Sequence, residues 1–149
     1  MVRLIGNIDA KMDEKGRVFF PAVFRRLLQK ESEDSLMIRR DIHQNCLVLY
    51  PLSVWNAQMD EMRSRLSRWT RQDQMVYRQF VAGVDELPID GNGRILIPKR
   101  YQAAVSLSNS VRFIGMGDTI EIWSKEEAEQ VLDNPEDLGA AIEQLMTGL

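Results

Sequence analysis

Residues 8–26 read IDAKMDEKGRVFFPAVFRR, and residues 85–102 read DELPIDGNGRILIPKRYQ. Moved by 77 positions, Asp13 falls on Asp90, Gly16 on Gly93, Arg17 on Arg94 and Pro21 on Pro98. The apolar run Val18-Phe19-Phe20 falls on Ile95-Leu96-Ile97 in the same shift. Convergent turn chemistry is the plainer explanation, but chance rarely matches seven positions in order, so an internal duplication is favoured. Farther along, Cys46-Leu-Val-Leu-Tyr50 and Thr119-Ile-Glu-Ile-Trp123 hold similar places, each before a helix-like segment.

Each copy predicts the same local structure. Asn92-Gly93 is a turn signal because both residues accept a positive φ, and Lys15-Gly16 is its weaker counterpart. The aspartate ahead of each turn can accept backbone N–H groups and hold the loop, leaving the arginine at the root of the next strand. Val18–Phe20 and Ile95–Ile97 read as strands buried on both faces. Pro21 and Pro98 then suit the first position of a helix. Phe24, Leu27 and Leu28 give the first helix an apolar stripe, and Tyr101, Ala104 and Val105 give the second a shorter one. Each half is therefore expected to run β-hairpin, strand, short helix and a second strand pair. Those pairs are Leu36–Tyr50, turning at Asp41–Asn45, and Val111–Trp123, turning at Gly115–Asp118.

Between the copies, Leu52, Trp55, Met59, Met62, Leu66 and Trp69 recur at helical spacing, and Met75, Val76 and Phe80 make a second stripe. These stripes read as core or subunit interface. Arg63, Arg65, Arg68, Arg71 and Arg78 read as a solvated helix face, with a DNA-backbone contact the lesser reading. Ser124-Lys-Glu-Glu127 fits a capping box, and Asn134-Pro135 could restart a short helix.

The chain has 149 residues, 44% hydrophobic and 28% charged, enough for one packed domain or two very small ones. Its formal charge is −3, but from Asp118 onward nine acids face the single base Lys125, and the remainder carries 18 bases against 13 acids. An overall acidity thus hides a basic body. Cys46 and His43, alone of their kinds, cannot build a Cys/His zinc cage, and no cofactor or metal is expected. Asp90-Gly-Asn-Gly opens like a calcium loop but has Tyr101 where a bidentate glutamate is required. No phosphate-cradling glycine loop occurs, and a buried Cys46 with a lone histidine gives little acid–base machinery, so neither an enzyme nor a small-molecule substrate is expected. No signal-peptide core or membrane-length apolar run stands out, which suggests a cytoplasmic chain without membrane contact.

DEKGRVFFP at 13–21, RDIHQNCLVLYPLSVW at 40–55, DGNGRILIP at 90–98 and GMGDTIEIW at 115–123 together resemble the MraZ family of bacterial transcriptional regulators. The resemblance runs from about Asn7 to Ala128. It implies an α+β, mainly β, fold: an AbrB-like double-split β-barrel made by two β-hairpin/helix repeats in one chain, with flanking helices. The corresponding division is 1–57 and 84–128 for the repeats, 58–83 for a connecting helical segment and 129–149 for an acidic helical tail. It also implies ring-like homo-oligomers, associated with the nucleoid, that bind tandem boxes of double-stranded DNA. Those boxes lie in the promoter of the division and cell-wall gene cluster, which includes the protein's own gene.

On that basis Arg17 and Arg94 are expected to read guanine in the major groove, because the guanidinium fork matches O6 and N7. Asp13, Gly16, Asp90 and Gly93 would shape the loops. Lys15, Lys11 and Arg25 would contact phosphate, with Asn92 replacing the loop lysine in the second copy. A structural salt bridge is the competing role for each Asp/Arg pair, and both roles can coexist. The alternative function is an AbrB-like antitoxin or interaction module that does not bind specific DNA.

Overall fold

The computed structural model describes residues 3–33, 35–133 and 137–148. The first half of the chain runs β1 (Asn7–Lys11), β2 (Arg17–Phe19), α1 (Ala22–Lys30), β3 (Leu36–Arg40), β4 (Leu47–Pro51) and α2 (Leu52–Arg65). After α3 (Arg71–Ala82), the second half runs β5 (Val84–Leu87), β6 (Arg94–Leu96), α4 (Lys99–Ala104), β7 (Ser110–Gly115), β8 (Ile120–Ser124) and α5 (Lys125–Val131). A last helix, α6, spans Leu138–Met146. The helix restart expected at Asn134-Pro135 lies outside the described residues.

The result is a mixed α+β fold with two antiparallel sheets. Six strands run in the order β1-β7-β8-β4-β3-β5, and β2 pairs with β6 to form a separate ribbon. The copies are exchanged: β1 lies on β7 of the second copy, and β5 lies on β3 of the first. The register is symmetric. Val48 faces Glu121 between Leu47↔Ile122 and Leu49↔Ile120, and Val18 faces Ile95 between Arg17↔Leu96 and Phe19↔Arg94. An approximate two-fold axis therefore passes through both central pairs. The expected local hairpins are correspondingly slight. β1 and β2 meet only through the Met12↔Val18 bridge, and β5 and β6 only through Ile89↔Ile95, because each strand finds its ladder in the other half. The hairpins β3/β4 and β7/β8 form where the sequence places them.

The expectation that Val18–Phe20 and Ile95–Ile97 are buried on both faces is corrected. Val18, Phe20, Ile95 and Ile97 point into the core, while Phe19 is 65% and Leu96 55% exposed. A two-stranded ribbon packs one face only, so strand alternation governs the three-residue elements despite their uniform apolarity. β4 is covered on both sides. Leu47 and Leu49 enter the main core, while Val48 and Tyr50 lie under Trp55 and Phe80 of α2 and α3. On β8, Trp123 packs with Cys46 and Ala128 of α5.

The Met/Trp stripe is likewise divided. α2 begins at Leu52, directly after Pro51, and ends at Arg65, so Trp69 lies in the connection and is 94% exposed, whereas Trp55 is buried. Arg39 is buried beside Trp55, stacks over the Phe80 ring and donates from Nη1 to the Phe80 carbonyl at 2.9 Å. Arg112 is 8% exposed and joins β1 to the end of α5 through Asp9 (2.9 Å) and Asp133 (3.0 Å). Ser124 caps α5 by accepting the Glu127 N–H at 3.1 Å.

Candidate nucleic-acid interface

Both Asp-x-x-x-Arg loops close the same way. Asp13 Oδ1 accepts the backbone N–H groups of Lys15 and Arg17, each at 2.9 Å, and Oδ2 accepts Arg17 Nε at 2.8 Å. Asp90 Oδ1 accepts Asn92 N–H at 2.8 Å and Arg94 N–H at 2.9 Å, with Arg94 Nε on Oδ2 at 3.2 Å. Gly16 and Gly93 then turn the chain at φ 91° and 80°, a region that penalises any side chain. Each glycine carbonyl receives an N–H from the opposite copy: Phe20 N–H to Gly93 O and Ile97 N–H to Gly16 O, both 2.9 Å. The loops and the β2/β6 ribbon are thus one hydrogen-bonded unit.

Strand alternation determines what this unit presents. With Val18 and Ile95 inward, Arg17, Phe19, Arg94 and Leu96 share the outward face. Arg17 lies across from Leu96 and Arg94 across from Phe19, which sets the two arginines on a diagonal, roughly 7–8 Å apart along the backbone. Within each guanidinium, only Nε bonds the aspartate. The two Nη groups have no hydrogen-bond partner among the described residues.

The remaining cations divide by position. Lys15 is exposed at the tip of the first loop, and Asn92 takes that place in the second. The Arg25 guanidinium of α1 occupies the space where a side chain at Gly93 would begin, so the first copy lends a cation to the second loop. Its counterpart Gln102 fills the same space at Gly16 and donates to Ile97 O at 2.7 Å. Lys11 is held by Ser110 Oγ at 2.8 Å on the six-stranded sheet. Sequence reasoning missed Lys99, whose Nζ reaches Glu14 O at 3.4 Å, and it missed the exposure of Phe19 and Leu96. Lys99 sits where Ala22 sits in the first copy, so the repeat gave no signal for it.

The loop carboxylates are electrostatically committed. The N–H of Arg17 holds Asp13 below its ordinary value of 3.8, helped by the guanidinium and the Lys15 N–H against desolvation. The N–H of Arg94 does the same for Asp90, together with the Asn92 N–H and the Arg94 guanidinium. A lowered carboxyl stabilises the folded loop at all pH values above 3.8 and ceases to do so as pH falls through the lower folded value. Amide shifts of Lys15, Arg17, Asn92 and Arg94 are therefore expected to titrate with midpoints below 3.8; midpoints at or above it would show the bonds to be absent in solution.

One further cluster among the described residues joins a thiol and two carboxylates. Asp41, Cys46 and Glu121 bring ligand atoms within 4.8 Å of one another. Burial pushes the Cys46 thiol far up, opposite to what a nucleophile or a thiolate ligand needs. Burial also raises Glu121, which accepts the Trp123 indole N–H at 3.0 Å, and Asp41 Oδ2 is taken by the N–H groups of His43 and Gln44.

No helix among the described residues is long and apolar enough to cross a membrane. The family model described as "MraZ protein, putative antitoxin-like" matches the chain twice, over residues 4–79 and 80–147. A protein of Bacteroides fragilis named "Transcriptional regulator MraZ" is 54% identical over 98% of this chain and 92% of its own. Proteins of the same name from Bacteroides thetaiotaomicron and Treponema denticola are 51% and 32% identical. They cover 98% and 95% of this chain, and 94% and 96% of their own. With the family model covering both halves and relatives matching end to end, the chain belongs to the MraZ family of transcriptional regulators.

Proposed function

We propose that the chain binds specific double-stranded DNA through the outward face of the β2/β6 ribbon. The observation that carries this reading is the pair of outward guanidinium groups, one from each copy, fixed by aspartates on a ribbon only two strands wide. The major groove, about 12 Å across, admits such a ribbon, and a free Nη pair fits the two acceptors of guanine. Asp13 and Asp90 set the arginines without touching DNA. Lys15 flanks the first loop and Arg25 the second, so each side has a cation for the phosphate backbone while Asn92 adds none. Lys11, engaged with Ser110, serves the backbone only if it leaves that partner.

In this reading the two interlocked sheets are an AbrB-type double-split barrel. Residues 1–57 and 84–128 are its two copies, 58–83 connects them, and 129–149 is the acidic tail. Ring-like homo-oligomers in the cytoplasm, on the nucleoid, engage tandem boxes in the promoter of the division and cell-wall gene cluster, including the protein's own gene.

One copy of the interface carries few cations, so its affinity for a single box is modest and strongly salt-dependent. Linking copies makes later contacts intramolecular and raises tandem-box affinity by about 10²–10⁴-fold. Fluorescence anisotropy with the duplex immediately upstream of the protein's own gene tests this, using its tandem boxes and one box alone. Tandem boxes are expected to bind far more tightly than one, and a monomeric variant should lose that advantage while keeping its fold. Equal affinity of wild type for one box and several would refute the multivalent part. Absence of binding to the upstream duplex would refute the DNA target.

A further inference from the structure

Two large apolar side chains lie on the arginine face for which packing gives no reason. Phe19 is 65% and Leu96 55% exposed, while the adjoining Val18 and Ile95 are each 1% exposed. Single exposed apolar residues are ordinary, but these two are placed by register. Phe19 stands across the ribbon from Arg94, and Leu96 from Arg17, so each arginine has an apolar partner at cross-strand distance, about 4.5–5.5 Å between Cβ atoms. The approximate two-fold axis through Val18 and Ile95 repeats the pair. An arginine with an apolar neighbour on an outward ribbon matches the chemistry of a major-groove edge that offers a guanine and, close by, a thymine methyl group.

We infer that Phe19 and Leu96 are specificity-determining residues that contact the C5-methyl groups of thymines next to the guanines taken by Arg94 and Arg17. The inference rests on the DNA-binding reading above and adds a base preference to it. Bases rise 3.4 Å per step along a strand, so the cross-strand spacing puts each thymine within about two base pairs of its guanine. The two half-sites are unequal. Phe19 covers more apolar surface than Leu96, so the half bound by Arg94 and Phe19 depends more on the methyl group. Replacement of the natural residue pair by two polar ones would leave the arginines in place and remove the preference.

The test compares the upstream duplex made with thymidine against the same duplex with deoxyuridine at the boxes, which deletes only the methyl groups. Burial of one methyl corresponds to about a fourfold gain in affinity, so wild type is expected to bind the deoxyuridine duplex at least that much more weakly. Phe19→Ala should weaken binding to the thymidine duplex and leave the deoxyuridine duplex nearly unchanged, bringing the ratio of affinities toward one. Leu96→Ala should do the same to a smaller extent. Equal wild-type affinity for both duplexes, with Arg17→Ala still defective, would overturn the inference and leave the DNA reading intact. A Phe19→Ala variant that weakens both duplexes equally would also overturn it and mark the residue as a protein contact. Wild-type binding by both Arg17→Ala and Arg94→Ala would instead sink the reading on which the inference stands.

Discussion

Arg17→Ala and Arg94→Ala are each expected to lower affinity for the upstream duplex by about 5–150-fold, the loss of one bidentate guanine contact. The fold should survive. The ion pairs are exposed, with side chains 38% and 41% accessible in the first and 28% and 43% in the second, and pairs of that kind add little stability. Thermal midpoints should therefore move by only a few degrees. Arg17→Lys should not restore binding, because an ammonium cannot present the two parallel donors that guanine accepts. Because the register places the arginines at equivalent positions across the approximate two-fold axis, the two alanine variants should be similarly defective. Anisotropy titrations at one fixed salt concentration, paired with thermal melts, separate the roles. A variant that unfolds would assign its arginine a structural task, and one that binds like wild type would remove it from the interface.

Phe20→Ala should cost about 3–5 kcal/mol of stability, whereas Phe19→Ala should change it by no more than about 0.5 kcal/mol. The two phenylalanines are adjacent in the chain and opposite in the fold. Phe20 is 2% exposed, meets Phe113 edge-on at 6.1 Å and Phe24 at 6.1 Å, and its N–H is tied to Gly93 O. Removing the ring opens a cavity where the ribbon joins the main core. Native domains are stable by about 5–15 kcal/mol in total, so the variant should be marginal or unfolded at ordinary growth temperature. Urea unfolding of the two variants side by side checks this. Equal losses would mean that both faces of β2 are packed and that the outward face is not available to a ligand.

Much of the candidate interface was legible because it depends on residue chemistry within five positions. The aspartate, the glycine and the arginine of each loop have roles imposed by a tight turn and by the reach of a carboxylate, and those are local. The hairpins β3/β4 and β7/β8 were legible for the same reason: each has strong apolar strands and a polar turn between them. Other features were hidden by distance. Nothing in Arg25 announces that it will lie on Gly93, and nothing in Lys99 announces that it will reach Glu14. Both placements follow from the exchange of strands between halves. The division of the Met/Trp stripe was hidden too, since Trp55 and Trp69 share a helical spacing but α2 stops at Arg65.

The amino-acid order alone pointed to a duplicated chain, with an aspartate-fixed turn ending in arginine in each half, and determined that Cys46 and His43 are too few for a zinc cage. Tertiary structure decided which strands pair and which face they show. β2 takes its hydrogen bonds from β6, 77 positions away, and a backbone N–H carries no mark of its distant partner. Three apolar residues in a row, moreover, do not say which of them meets water. That is settled only when a ribbon of two strands packs one side onto the core and leaves Arg17, Phe19, Arg94 and Leu96 on the other.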